Sequence, residues 1–271
     1  MKYAASALLV ASALAGGAAS AAPVIYNLAL PNISTFDNVI TGTGATVVTA
    51  QVVAGQSVYN YLDLNGNPAT VTVTRTGTGA AANPAGGYTS GGMPLSGSVW
   101  EIDPVASPAG GGVGGLPHIP GFNSGLTFTF SSAVNAFGFE IGDWATCCMT
   151  GSRPAAVVSA YGVPATGSGL WIAFDGGAAT LPANALTATD NPGRLLPTPT
   201  YTNFIGAIDS SGFFSKVTFW GDGFGEFLVA GGTLRFASVP QGSVGVPEPA
   251  SLALVGLALA GLAATRRRQA A

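Results

Sequence analysis

The sequence predicts an all-β protein, an antiparallel β-sandwich of which a jelly roll is one form. Three observations predict it. Short runs that alternate apolar with polar residues recur, rich in Val, Thr and Phe, and this period of two marks half-buried strands. Gly, Pro and Asn stand between the runs, where turns need them. No long stretch between residues 22 and 245 keeps the 3.6-residue period of an amphipathic helix. Each apolar strand face must find cover, and many short antiparallel strands find it as two packed sheets.

The front of the chain is a targeting segment. Lys2 gives a positive start, Tyr3 to Ala15 is apolar, Gly16 and Gly17 break the run, and Ala19-Ser20-Ala21 has small residues at both key positions. This is the pattern of a secretory signal peptide over residues 1–21, removed after Ala21. Export places the mature chain in an oxidising setting.

Residues 22–245 form one sandwich domain. Ala45 to Val53 and Gln56 to Leu62 read as strands, and Asp63 to Asn67 as their hairpin turn, with Asn65-Gly66 the favoured pair. Thr70 to Thr74 returns. A loop dense in Gly, Pro and Ala comes next, over about residues 77–121, and only Trp100-Glu101-Ile102 is expected to dock on the body. Leu126 to Phe130 and Phe137 to Ile141 alternate strictly, with Ser131-Ser132 as the turn between them. Ala155 to Tyr161, Leu170 to Phe174, Phe204 to Ile208, Lys216 to Trp220 and Glu226 to Phe236 supply further strands. Gly231-Gly232 is expected to divide the last into a hairpin.

Charge excludes one class of partner. Between Ala22 and Val246 stand five basic and eleven acidic residues, and five minus eleven leaves a net charge of −6. Nucleic acid, which demands a basic face, is not expected as a partner.

The residues that could carry chemistry are few. His118 is the single histidine and lies in the Gly/Pro-rich loop. No G-x-S-x-G elbow surrounds a serine, and one histidine with two adjacent cysteines cannot complete a tetrahedral zinc set. No catalytic residue is assigned and no enzyme is expected. Asp143, Asp175, Asp222 and Glu226 fall at strand ends, with Glu140 near the first of them. Converging strand ends would offer oxygen ligands to Ca²⁺, whereas taken singly each acid suits a turn. Trp171 and Trp220 lie in apolar runs and belong to the core. Trp144, beside Asp143, is the candidate platform for stacking on a sugar ring. Cys147 and Cys148 are adjacent and are the only cysteines. The expected state is a vicinal disulfide, with two free thiols or a bridge between chains as the alternatives.

The last stretch is the most specific. Val246 leads into Pro247-Glu248-Pro249, Ser251 to Ala264 holds no charge, and Arg266, Arg267 and Arg268 come after it. The prolines set an extended spacer. As a helix the apolar run spans about 21 Å at 1.5 Å per residue, short of a hydrocarbon core of roughly 30 Å, so membrane contact is expected to be transient. The arginines resist translocation. Residues 246–271 closely resemble the PEP-CTERM sorting signal of Gram-negative bacteria. That resemblance implies an exosortase-type membrane protease as partner, cleavage near the triplet, and delivery to the cell surface or an extracellular, biofilm-type matrix rich in polysaccharide. The runs Phe137 to Cys148, Phe204 to Phe227 and Leu234 to Phe236 also look like passages common in the exported bodies of such proteins. Two functions stand as expectations: a non-enzymatic surface or matrix protein, or a carbohydrate-binding module of the same fold assisted by calcium.

Overall fold

Phe137, Phe139 and Ile141 alternate with Gly138, Glu140 and Gly142, so one strand sends large apolar groups to one side only. That arrangement is repeated across the computed structural model, which describes residues 23–244 except 64, 77–78, 89–92, 103–124, 144–152, 154, 178, 199, 201 and 222–227. Pro23–Val244 makes one compact unit.

Two antiparallel six-stranded sheets result. The first runs β1 (Val24–Ala29), β10 (Asn203–Ile208), β7 (Ala136–Asp143), β12 (Leu228–Ala237) and β2 (Val48–Gln51). β5 (Val99–Ile102) shares the edge of β12 with β2: it pairs with Leu228–Gly231, while β2 pairs with Thr233–Phe236. The second runs β3 (Val58–Leu62), β4 (Pro68–Arg75), β6 (Gly125–Val134), β11 (Phe214–Gly221), β8 (Ser168–Phe174) and β9 (Thr180–Ala185). The sandwich expected from the sequence is present.

Aromatic rings fill the space between the sheets. Phe128 lies 5.3 Å from Phe139, Phe139 lies 4.8 Å from Phe219, and Tyr61 stacks on Phe236 at 5.3 Å. Such pairs add to area burial through their edge and face charges. Trp100 and Ile102 dock as expected, and the Trp100 indole N–H donates to the Ala82 carbonyl at 3.0 Å.

Each sheet also carries a helix on its outer face. α1 (Ser34–Gly42) lays Phe36 and Ile40, one helical turn apart, on Ala136, Phe204 and Ile208. α2 (Ala155–Tyr161) lays Val157 over Trp171 and Trp220, whose rings stack 6.2 Å apart. Both tryptophans are fully buried, as expected.

Three local expectations need correction. Ala155 to Tyr161 is helix α2, because the apolar faces of its neighbours are already paired in sheets and only one side of this segment is covered. Ser131-Ser132 makes no turn: β6 runs on to Val134, with the Ser132 amide held by the Tyr61 hydroxyl at 3.2 Å, and the chain reverses at Asn135. Gly231-Gly232 makes no hairpin. β12 continues through it, and the register slips between Gly231 and Leu234 as a bulge. Both glycines hold positive φ, 153° and 62°, which β-strand residues with side chains avoid. Finally β1, α1 and β9 were not expected. Residues 1–21, the loop around His118, and Trp144, Cys147, Cys148, Asp222 and Glu226 lie outside the described residues, as does everything after Val244.

Candidate functional site

Of the strand-end carboxylates, the two that are described, Asp143 and Asp175, stand at opposite ends of the sandwich. Asp143 closes β7, its backbone paired with Val229. Its side chain lies outside the described residues. Asp222 and Glu226 lie outside the described residues. Asp175 is elsewhere. It comes after Phe174, which pairs with Val217, whereas Gly221 pairs with Leu170 at the far end of the β8–β11 ladder. Asp175 takes a turn conformation, φ 52°, and its Oδ1 accepts from the Ser215 amide, the Ser215 hydroxyl and the Lys216 amide at 2.8, 2.9 and 3.0 Å. That carboxylate is committed to tying a turn to β11. Among the described residues no three His, Cys, Asp or Glu side chains gather as a metal cluster.

Glu140 lies inside β7 rather than at its end. Its side chain points to the outer face of the first sheet and is 1% exposed. Oε1 accepts from the Thr233 hydroxyl at 2.5 Å, and Oε2 from the Ser96 amide at 2.9 Å. Arg235 stands 4.0 Å away, donates to Thr233 Oγ1 at 2.5 Å, and pairs through Nε with Asp37 of α1 at 3.0 Å. The bulge at Gly232 makes room, since a Cβ there would overlap Oε2. A buried charge persists only when paired and hydrogen-bonded, and this cluster meets that condition. It ties β7, β12, the Ser96 loop and α1 together.

An open groove of about 480 Å³ runs between the start of β2 and the β3–β4 turn, lined among others by Thr43, Val48, Leu62, Asp63 and Ala237. Its one carboxylate is not free for a ligand. Asp63 Oδ1 accepts from the Asn65 and Asn67 amides at 2.9 and 2.8 Å. These bonds, that from Asn67 foremost, hold its pKa below the usual carboxylate value.

The way the chain leaves the sandwich is more specific. Asn135, fully buried between β6 and β7, donates its side-chain amide to the Val239 carbonyl at 2.8 Å and accepts from the Val239 amide at 2.7 Å. One side chain thus does the work of a strand partner. Farther on, the Gly242 amide donates to the Ser210 carbonyl at 2.8 Å, and the Ser210 hydroxyl to the Val244 carbonyl at 2.9 Å. Val244 packs against the cluster beneath α1. Sequence reasoning missed this hook. Its signal was a lone Asn between two apolar strands, which reads equally well as an ordinary turn.

Immediately beyond Val244 the family comparison matches. The model for the PEP-CTERM protein-sorting motif fits residues 245–268. The chain carries the PEP-CTERM sorting motif. No curated protein and no solved structure matches the chain. The PEP-CTERM match covers the residues expected to carry it: Val246, Pro247, Glu248, Pro249 and Arg266 to Arg268 all fall within it. The motif implies an exported protein directed to the cell envelope and targeted by an exosortase. Among the described residues no helix is long and apolar enough to cross a membrane.

Proposed function

We propose that this is a non-enzymatic protein of the cell surface or extracellular matrix, cut from a transient membrane tether by an exosortase-type protease. The observation that carries the reading is the PEP-CTERM motif at residues 245–268. The order of its parts supports cleavage: extended triplet, short apolar run, cationic stop. A structural role for the sandwich is supported by how its described acids are used. Asp63, Glu140 and Asp175 each accept two or more hydrogen bonds from the body itself.

Mass spectrometry of protein recovered from the cell surface or medium tests the proposal. Peptides from Leu252 onward should be absent. An intact Arg266–Arg268 tail on the major surface form would overturn it.

A further inference from the structure

We infer that the protein pairs with a second copy of itself through the open edge of β3, antiparallel and centred on Asn60. This pairing does not depend on the sorting function. An unpaired edge strand offers its N–H and C=O groups to any passing chain, and proteins blunt such edges with proline, charge, short strands or cover. β9 carries Pro182 in its middle. No residue of β1 is exposed, and the 3₁₀ helix Pro192–Leu195 lies beside it. β2 and β5 are four residues each and divide one edge between them. β3 is different. Val58-Tyr59-Asn60-Tyr61-Leu62 holds no charge and no proline, and its register with β4 is unbroken. β2 lies beside it in the other sheet, yet Val58, Asn60 and Leu62 stay exposed.

The ladder shows which backbone groups are open. The Val73 amide donates to the Ser57 carbonyl at 2.8 Å, and β3 keeps that register with β4 as far as Leu62 and Pro68. Hydrogen-bonded residues alternate along an antiparallel pair. Tyr59 and Tyr61 therefore turn their N–H and C=O groups to β4, and Val58, Asn60 and Leu62 turn theirs outward. The Val58 carbonyl accepts from Gln56 Nε2 at 2.6 Å, and a carbonyl has a second lone pair to offer. Val58 and Leu62 are 43% and 57% exposed. A second β3 laid with Asn60 on the two-fold axis sets Asn60 against the partner's Asn60, and Val58 against the partner's Leu62 twice. All three positions then have outward backbone groups on both sides, and each exposed apolar side chain meets one from the other copy. Charge permits the contact although residues 22–246 carry −6. Asp63 is the nearest charge in the sequence. In this register the two copies of it stand six strand steps apart, roughly 20 Å, beyond a Debye length of about 8 Å. A strand of five residues, about 17 Å long, covers less than the roughly 800 Å² per partner of a standard interface. The dimer therefore forms at high local concentration and parts on dilution.

The test uses the full chain in mild detergent, with Cys147 and Cys148 replaced by serine and one cysteine introduced. Hydrogen-bonded partners in an antiparallel pair stand about 5.5 Å apart between Cα atoms, inside the disulfide range. Asn60→Cys should therefore cross-link to a dimer under mild oxidation severalfold faster than Leu195→Cys, a site beside β1 that is 74% exposed. Adding Val58→Lys and Leu62→Lys to the Asn60→Cys chain sets like charges opposite each other twice and should slow the link severalfold. Adding Val58→Glu and Leu62→Lys instead pairs opposite charges across the axis and should restore it. Within one chain these two positions lie about 14 Å apart, too far to pair with each other. Both are exposed, so each variant should melt where its parent does. Equal rates for Asn60→Cys and Leu195→Cys would overturn the second copy as the occupant of this edge. A lysine pair that leaves the rate unchanged, or a Glu/Lys pair that fails to restore it, would overturn the register and the inference with it. In cells producing the Asn60→Cys chain, a mixed disulfide with another protein in place of the dimer would give the edge to that partner and overturn the inference as well.

Discussion

Glu140 could not be buried in a sandwich of this kind by itself. Its 1% exposure is sustained by Thr233, Ser96 and Arg235, and the two ends of the Arg235 guanidinium differ in what they face. Toward Glu140 it meets a buried acid. Toward Asp37 it meets one whose side chain is 30% exposed, where solvent screens the pair. Arg235→Met should therefore destabilise the fold by about 3 kcal/mol, the low end for stripping a buried charge of its partner, since Thr233 and Ser96 still serve it. Asp37→Asn should cost less than about 1 kcal/mol. Urea unfolding measures both, and equal losses would show that Glu140 does not depend on Arg235. Asp63 offers the acid-side prediction. Its folded pKa is lowered, first by the bond from the Asn67 amide, so its contribution is whole above the unfolded value and is lost as pH falls through the folded one. Wild type should out-melt Asp63→Asn at pH 6, and the gap should close below about pH 4. A gap that stays constant down to about pH 2.5, well below the ordinary carboxylate range, would mean that the charge is irrelevant to the turn. The turn was legible because the Asp63 bonds that shape it come from near neighbours, the Asn65 and Asn67 amides, with Ser132 adding a longer one from β6. The burial of Glu140 was not, because its partners lie 44 and 93 residues away.

At the scale of elements, strands with two distinct faces were readable and strands used in other ways were not. Leu126 to Phe130 and Phe137 to Ile141 announce themselves by strict alternation. Ala155 to Tyr161 is equally apolar but short, and nothing within seven residues tells a covering helix from a buried strand. Only the presence of Trp171 and Trp220 beneath it decides. Gly231-Gly232 shows the same limit. Two glycines mark a departure from regular backbone, but bulge and hairpin use the same residues. The bulge makes a sharp prediction. Gly232→Ala forces a left-handed residue and also drives a Cβ into the Glu140 carboxylate. Gly242→Ala imposes the same backbone cost, about 1–2 kcal/mol, with nothing within 4 Å of its Cβ. Gly232→Ala should lose clearly more stability than Gly242→Ala in thermal unfolding. Matching losses would remove the steric role assigned to Glu140 at the bulge.

For the molecule as a whole, fold class and destination were legible and strand order was not. Alternation and tail chemistry are local properties, read within about a dozen residues. The order of the sheets is set by pairings such as Tyr26 with Gly206 and Gln51 with Thr233, which no window along the chain contains. The hook at Val239–Val244 belongs to this long-range class, since Asn135 acts across 104 residues. It also decides where the folded body ends. Residues 240–244 contribute the packing of Val244, the Gly242–Ser210 bond and the Ser210–Val244 bond. A chain ending after Glu248 keeps all three and should melt where the full-length protein does. A chain ending after Val239 loses them. Two hydrogen bonds and a half-buried valine amount to about 2 kcal/mol, which in a domain of this size lowers the melting temperature by about 4–8 °C. Calorimetry on the three proteins decides the matter. If the chain ending after Val239 melts with the other two, residues 240–244 are not held.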